Sequence, residues 1–438
     1  VINTGDTAWL LGSAALVMLM TPGLALFYGG MVRSRSVLNV MMLTFVCLAA
    51  VGLVWLLYGY SLSFGNDAFG GLIGNLKLSG LHGLAGATVG PEGHKVPLLA
   101  FAGFQLMFAV ITVALLVGAV AERARFWPWL LFVVVWVTLV YLPLAHWVFA
   151  FDAFTGPGTT GGWLVNKLHA LDFAGGTAVE VNSGAAAVAL AFVFGARQGW
   201  PRQAVRPHNL PFVMFGAGLL WFGWFGFNAG SALGASSVAA TSFLNTTIAA
   251  ATAVIGWLVV EQVRDGKPTT LGAASGAVAG LVGITPGCAY VEPLGAAAIG
   301  VIAGVVCSLA IGLKYKLRLD DSLDVLAVHG IGGFTGMLLI GLFASTSANP
   351  SGADGLFYGG GFDQLWRQAV ATFAALVYSL VVTFVIAWVL HRTLGLRIGR
   401  EAELDGIDEA EHAESAYDLA VHPSRRATAA GFVEGGRP

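Results

Sequence analysis

The sequence predicts an all-α polytopic membrane protein: eleven transmembrane helices, an inverted 5+5 repeat plus a final helix. Three observations predict it. Of 438 residues, 57% are hydrophobic and only 11% charged, whereas a soluble chain of this length carries about 25% charge. Eleven segments reach the roughly 20 mostly apolar residues that a spanning helix needs. The basic residues between those segments gather on one side. The net charge of −2 suggests no nucleic-acid partner.

The segments run over 8–32, 38–64, 98–120, 127–149, 173–196, 209–229, 238–260, 271–289, 293–313, 324–347 and 367–391. The sixth and seventh form one run from Pro207 to Val260, split at the polar stretch from Asn228 to Ser237. With the N-terminus outside, 15 Lys and Arg lie near the inner ends and 4 near the outer ends. The positive-inside rule therefore orients the chain N-terminus out and C-terminus in. Five helices precede the loop around residue 200 and five follow it. The halves, about 1–200 and 205–350, thus have opposite topology, and the last helix, 367–391, completes a transmembrane domain over 1–395. Glycine-rich stretches such as Gly216–Gly234 and Gly272–Gly287 permit close helix approach.

The loop 65–97 is long and Gly-rich, without a motif. The tail, 396–438, holds eight acidic residues and no Lys or Arg between Glu401 and Asp418, which by composition alone reads as a solvated, disordered segment. Cys47, Cys288 and Cys307 lie far apart in apolar stretches and read as small core hydrophobes. Val1 in place of Met is what a removed signal peptide, or a trimmed start, would leave.

Two of the spans carry the same pattern. One reads DFAGGTAVE from Asp172 to Glu180, the other DSLDVLAVH from Asp321 to His329. In each, an Asp is followed eight residues later by a proton-binding side chain after Ala-Val. Ionisable groups within a bilayer are costly and usually line a substrate or proton path. Matching positions in two halves point to a shared site near the midplane. A carboxylate beside an imidazole favours a charged pair, while burial disfavours either charge alone, so Glu180 and His329 would titrate as one unit. Asp172, opening the fifth helix, caps free N–H groups and complements the helix dipole. Asp321 reads as the cap of the tenth, and Asp321 or Asp324 is placed to pair with Lys316 or Arg318. The remaining histidines show no metal-ligand spacing, no Gly-rich stretch joins a strand to a helix, and no nucleophile motif occurs. The sequence thus implies no metal, no cofactor and no enzyme.

Five stretches, in order, resemble the ammonium transporter (Amt/Mep/Rh) family, specifically its Amt/Mep branch: PGLALFYGGMVRSRSVLN at 22–39, DFAGGTAV at 172–179, PHNLPFV at 207–213, WFGFNAGSA at 224–232 and DDSLDVLAVHG at 320–330. The resemblance covers nearly the whole chain. It implies a homotrimer in the plasma membrane, one pore through each protomer, and selective uptake of ammonium. Potassium has the same charge and similar size, so selection must use the hydrogen bonds ammonium donates or the proton it can lose.

By resemblance, Phe108, Phe149 and Ser231 form an outer recruitment site, where cation–π attraction contributes on the order of 0.5–2 kcal/mol. The family usually has Trp at the position of Phe149, and Trp147 lies too far round the helix to replace it. Phe108 and Phe227 would stack as a gate, with Trp224 on the pore wall and Thr285 supplying a hydroxyl or a helix break. Glu180 stands where the family usually has the first of two histidines; some fungal Mep proteins share the Glu. Glu180 and His329 then form a proton relay, so net movement carries one positive charge. Asp172 shapes the site without touching substrate. The tail stretch GIDEAEHAESAYD at 406–418 resembles the family's cytoplasmic tail motif, which packs on the neighbouring protomer and helps receive a regulatory protein of the PII class. Two other readings stand beside transport. An ammonium sensor signalling through its tail would ordinarily carry an appended signalling domain. A neutral channel for ammonia or carbon dioxide would not need Phe108, Phe227 and Ser231.

Overall fold

The structure, a computed structural model, describes residues 1–203 and 206–417. The end of the tail, 418–438, with Arg425, Arg426, Arg437 and His422, lies outside the described residues. Eleven apolar helices follow in the expected order: α1 Thr4–Met31, α2 Val37–Phe64, α3 Leu98–Val120, α4 Phe126–Phe149, α5 Gly176–Phe194, α6 Leu210–Gly230, α7 Ser237–Asp265, α8 Thr270–Ile284, α9 Pro293–Leu317, α10 Leu326–Phe343 and α11 Asp363–Thr393. Among the described residues, ten of these are long and apolar enough to cross a membrane; α8 is the shorter one. Expected over 271–289, it stops at Ile284 and gives way to turns through Tyr290. Pro286 is the reason, since it offers no N–H and its ring clashes with a continuing helix. Fifteen residues rise roughly 22 Å, against a hydrocarbon core of about 30 Å.

Between helices in lipid there is no hydrophobic drive, so close packing must supply the attraction. α1 lies along α6 on this basis. A methyl on Gly226 would sit 2.6 Å from Ser13 O, so only glycine allows the approach. α11 is tied to the start of α5 by Gln368. Its side-chain amide accepts from Leu171 N at 2.8 Å and donates to Leu171 O at 2.6 Å. In the loop 65–97 a short ribbon pairs β1 Thr88–Val89 with β2 Val96–Pro97.

Where the C-terminal part of the chain lies, charged loop residues interlock. Glu122 takes Arg33 at 3.0 Å and Arg197 at 3.1 Å, and Arg197 also grips Asp320 at 2.9 Å. Burial would raise both carboxyls, but the guanidinium groups outweigh it and hold Glu122 and Asp320 below the usual carboxylate range. Asp321 caps α10, accepting from Leu326 N at 2.7 Å. Asp324 pairs with Lys314 at 2.7 Å, not with Lys316 or Arg318. Helical backbone over Leu313–Leu317 turns Lys314 inward and leaves Lys316 exposed, since residues two apart face different sides.

The acidic tail is docked, contrary to what its composition suggests. Two short helices, α12 Arg400–Asp405 and α13 Ile407–His412, lie across the chain's own helix ends. Asp408 accepts from Leu38 N at 3.0 Å and Asn39 N at 2.8 Å, and Glu411 accepts from Phe126 N at 2.9 Å. These are the free donors of α2 and α4, whose own N-cap residues, Ser36 and Arg125, make no capping side-chain bond. Burying a carboxylate is tolerable when it is hydrogen-bonded in this way.

Candidate functional site

The repeated motif becomes a repeated structure. α5 opens with a π-helical turn, Gly176–Val181, and α10 with another, Leu326–Ile331. Such wide turns are frequent at functional sites. They carry Glu180 and His329, and the structure brings the two together: His329 Nδ1 lies 2.7 Å from Glu180 Oε2. Both side chains are buried, and Glu180 Oε1 has no hydrogen-bond partner among the described residues. Four residues after each stands a glycine, Gly184 and Gly333. A methyl on Gly333 would sit 2.5 Å from Glu180 Cβ, and one on Gly184 would overlap Gly330 Cα. Both glycines occupy the same place in the repeat, four residues past its ionisable end, beyond the stretch over which the two motifs match.

Asp172 is the cap of the π-turn. Its oxygens accept from Gly175 N at 2.9 Å, Gly176 N at 2.5 Å, Thr177 N at 2.7 Å and Thr177 Oγ1 at 2.5 Å. With every bond directed at backbone and Thr177, the carboxylate fixes the turn that presents Glu180.

Glu180 and His329 line a narrow cavity of about 10 Å³ with Trp224, Phe227 and aliphatic side chains. That is room for about one water-sized molecule. A second cavity, about 50 Å³, is lined by Phe108, Phe149 and Ser231 together with Phe101, Gln105 and Phe173. Between the two, Phe108 and Phe227 stack with centroids 4.1 Å apart and an interplanar angle of 16°. Phe149 meets Phe108 edge-on at 6.2 Å. Ser231 Oγ donates to Phe227 O at 2.8 Å, leaving hydroxyl lone pairs to accept from a guest. Trp224 Nε1 donates to Thr285 Oγ1 at 2.8 Å, so Thr285, at the break of α8, fixes the indole. Trp147 points elsewhere, donating to Leu72 O at 2.8 Å and packing on Trp163 and Tyr378.

Gln105 was not anticipated. Its Oε1 is buried in the second cavity without a partner among the described residues. The signal was present in the sequence, an amide side chain one turn before Phe108 on an apolar helix. Among the described residues no group of three His, Cys, Asp or Glu could hold a metal ion. The three cysteines are buried and unbridged.

The arrangement is a narrow, mostly apolar lumen behind stacked aromatic rings, with an acid and an imidazole in contact inside it. An ion entering it loses hydration at a cost of several kcal/mol, while a small neutral molecule does not carry that penalty.

Known proteins share this architecture. The ammonium transporter of Mycobacterium tuberculosis (strain ATCC 25618 / H37Rv) is 58% identical over 436 residues, covering 95% of this chain and 91% of its own length. That of Bacillus subtilis (strain 168) is 48% identical over 419 residues, covering 95% and 99%. The crystal structure of Saccharomyces cerevisiae Mep2 superposes with a TM-score of 0.80 at 34% identity, over 91% of this chain and 88% of that one. A structure described as a Sensor Amt Protein superposes with a TM-score of 0.84 at 30% identity, over 93% and 98%. The profile of the Ammonium Transporter Family matches residues 8–417, and the chain belongs to that family of multi-pass membrane transporters.

Proposed function

We propose that this protein takes up ammonium selectively across the plasma membrane and splits it into ammonia and a proton on the way. The observation that carries the reading is the contact between Glu180 and His329 directly behind the Phe108–Phe227 stack. Ammonium is recruited in the outer cavity by the faces of Phe108 and Phe149 and the Ser231 hydroxyl. It gives up its proton at the gate. Ammonia passes the apolar lumen, and the proton moves through Glu180 and His329, so each ammonium transfers one positive charge. Asp172, Trp224 and Thr285 support the path. The working unit is a homotrimer of pores, each built from two inverted halves, with the N-terminus outside and the tail in the cytoplasm. The docked tail fits a face on which a PII-class regulator settles.

Charge moved per ammonium, measured in proteoliposomes with potassium as competitor, tests this. About one elementary charge per ammonium, undiminished by potassium, is expected. Flux without current would replace the reading by a neutral gas channel. A sensing role, suggested by the likeness to the Sensor Amt Protein, predicts binding with negligible flux in the same assay.

Recruitment gives a second expectation. Trp is the best cation–π partner among the aromatic residues. Phe149→Trp therefore lowers the half-saturating ammonium concentration by about 2- to 5-fold, as a gain on the order of 0.5–1 kcal/mol implies. An unchanged value would take Phe149 out of the recruitment site.

A further inference from the structure

We infer that Asp6 is a positioning residue for ammonium recruitment, holding in place the turn that carries Ser231. The inference rests on the reading that Ser231 helps to recruit ammonium.

Ser231 is the first residue beyond α6, and the chain reverses from there into α7 at Ser237. The bonds that Ala232 N and Leu233 N make are local, to Ala229 O and Gly230 O. Leu233 has a left-handed backbone, with φ of 56°, which is unusual for a branched, bulky residue and persists only when the surroundings impose it. The imposing contacts come from α1. Asp6 Oδ1 accepts from Ala235 N at 2.8 Å, and Trp9 Nε1 donates to Ala229 O at 3.1 Å. One turn of α1 therefore grips the reversal on both sides of Ser231.

An acidic residue in a first helical turn ordinarily serves the helix itself. Asp6 does something else. The cap of α1 is Asn3, whose Oδ1 accepts from Asp6 N at 3.0 Å. The Asp6 carboxylate instead crosses to the α6–α7 turn and is 3% exposed. Its second oxygen, Oδ2, meets His94 Nδ1 at 2.8 Å, in the loop before α3. Both oxygens thus bond to protein groups, and Asp6 is not among the residues lining the outer cavity. Gly234 makes the approach possible: a methyl there would lie 2.8 Å from Asp6 Oδ1. The carboxylate acts through Ser231, by fixing where its hydroxyl stands at the outer cavity.

Ammonium flux against concentration, in proteoliposomes, tests this with Asp6→Ala, Asp6→Asn, Ser231→Ala and the Asp6→Ala/Ser231→Ala double variant. Asp6→Ala is expected to raise the half-saturating concentration about 3- to 10-fold, with maximal flux within about twofold of the parent, the signature of lost binding rather than lost translocation. Asp6→Asn restores most of the affinity, because its amide oxygen still accepts from Ala235 N. The double variant is no weaker than Ser231→Ala alone. An unchanged half-saturation in Asp6→Ala, beside a raised one in Ser231→Ala, overturns the inference and leaves the recruitment reading intact; so do multiplying effects in the double variant. An unchanged value in Ser231→Ala overturns both. Where Asp6→Ala fails to reach the membrane, Gly234→Ala, which forces the turn off the carboxylate, is read by the same outcomes.

Discussion

Glu180→Ala is expected to cut ammonium-driven current in proteoliposomes by about 100-fold, the low end of what positioned proton-transfer groups contribute. The side chain is the acid half of the buried contact with His329, and its Oε1 has no partner among the described residues. Without it, the proton released at the gate has no second carrier and the imidazole loses its partner. Glu180→His keeps a relay of two imidazoles, so current persists with an altered pH dependence. Glu180→Gln separates chemistry from scaffolding. The amide still bonds to the ring but cannot take a proton, so a purely helix-pinning contact would keep its current in this variant. Unchanged current and pH dependence in both Glu180→Ala and Glu180→His would remove Glu180 from the mechanism.

The second large effect is on stability. Arg197→Ala takes from Glu122 and Asp320, two buried carboxylates, the guanidinium they share, leaving Glu122 with Arg33 and Asp320 with Arg123. Breaking a buried pair from one side costs about 3–5 kcal/mol. Burial opposes the charge on Glu122 and Asp320, yet their guanidinium partners hold both below the usual range. Their stabilisation is therefore complete above the unfolded-state values, about pH 4, and is lost as pH falls through the lower folded ones. Thermal unfolding of the detergent-solubilised protein, followed by tryptophan fluorescence, checks both points. The parent should hold its midpoint from pH 7 to 5 and lose it progressively below about pH 4. Arg197→Ala should unfold at markedly lower temperature at pH 7 and show a shallower acid response. A midpoint equal to the parent's would mean the three charges do not act together.

The apolar runs made the helices and their order legible, because the demand for about 20 apolar residues is strict in lipid. The pairing of Glu180 with His329 was legible too, since both ends of the contact carry one motif. Other features depend on information spread over the folded chain. The π-turns arise from how Asp172 and Asp321 gather backbone donors, which no apolar period records. The break in α8 was announced by Pro286 and Gly287, a breaker pair that an apolar count passes over. Lys314 rather than Lys316 meets Asp324 because a helical turn sets the facing, and the run from Leu313 to Leu317 reads as loop by composition. The docking of the tail was not legible in its composition. Its acids look solvated until one knows that the first turns of α2 and α4 lack caps of their own.

That last feature bears on the order of assembly. The donors at Leu38, Asn39 and Phe126 are made early in synthesis, yet their acceptors, Asp408 and Glu411, emerge only after all the membrane helices have been threaded. Until residues 408 and 411 are made, these three N–H groups lack the carboxylates that accept from them in the finished fold. The last-made stretch of the described chain thus closes the first turns of two of the earliest helices, through three bonds from backbone N–H groups to side-chain carboxylates.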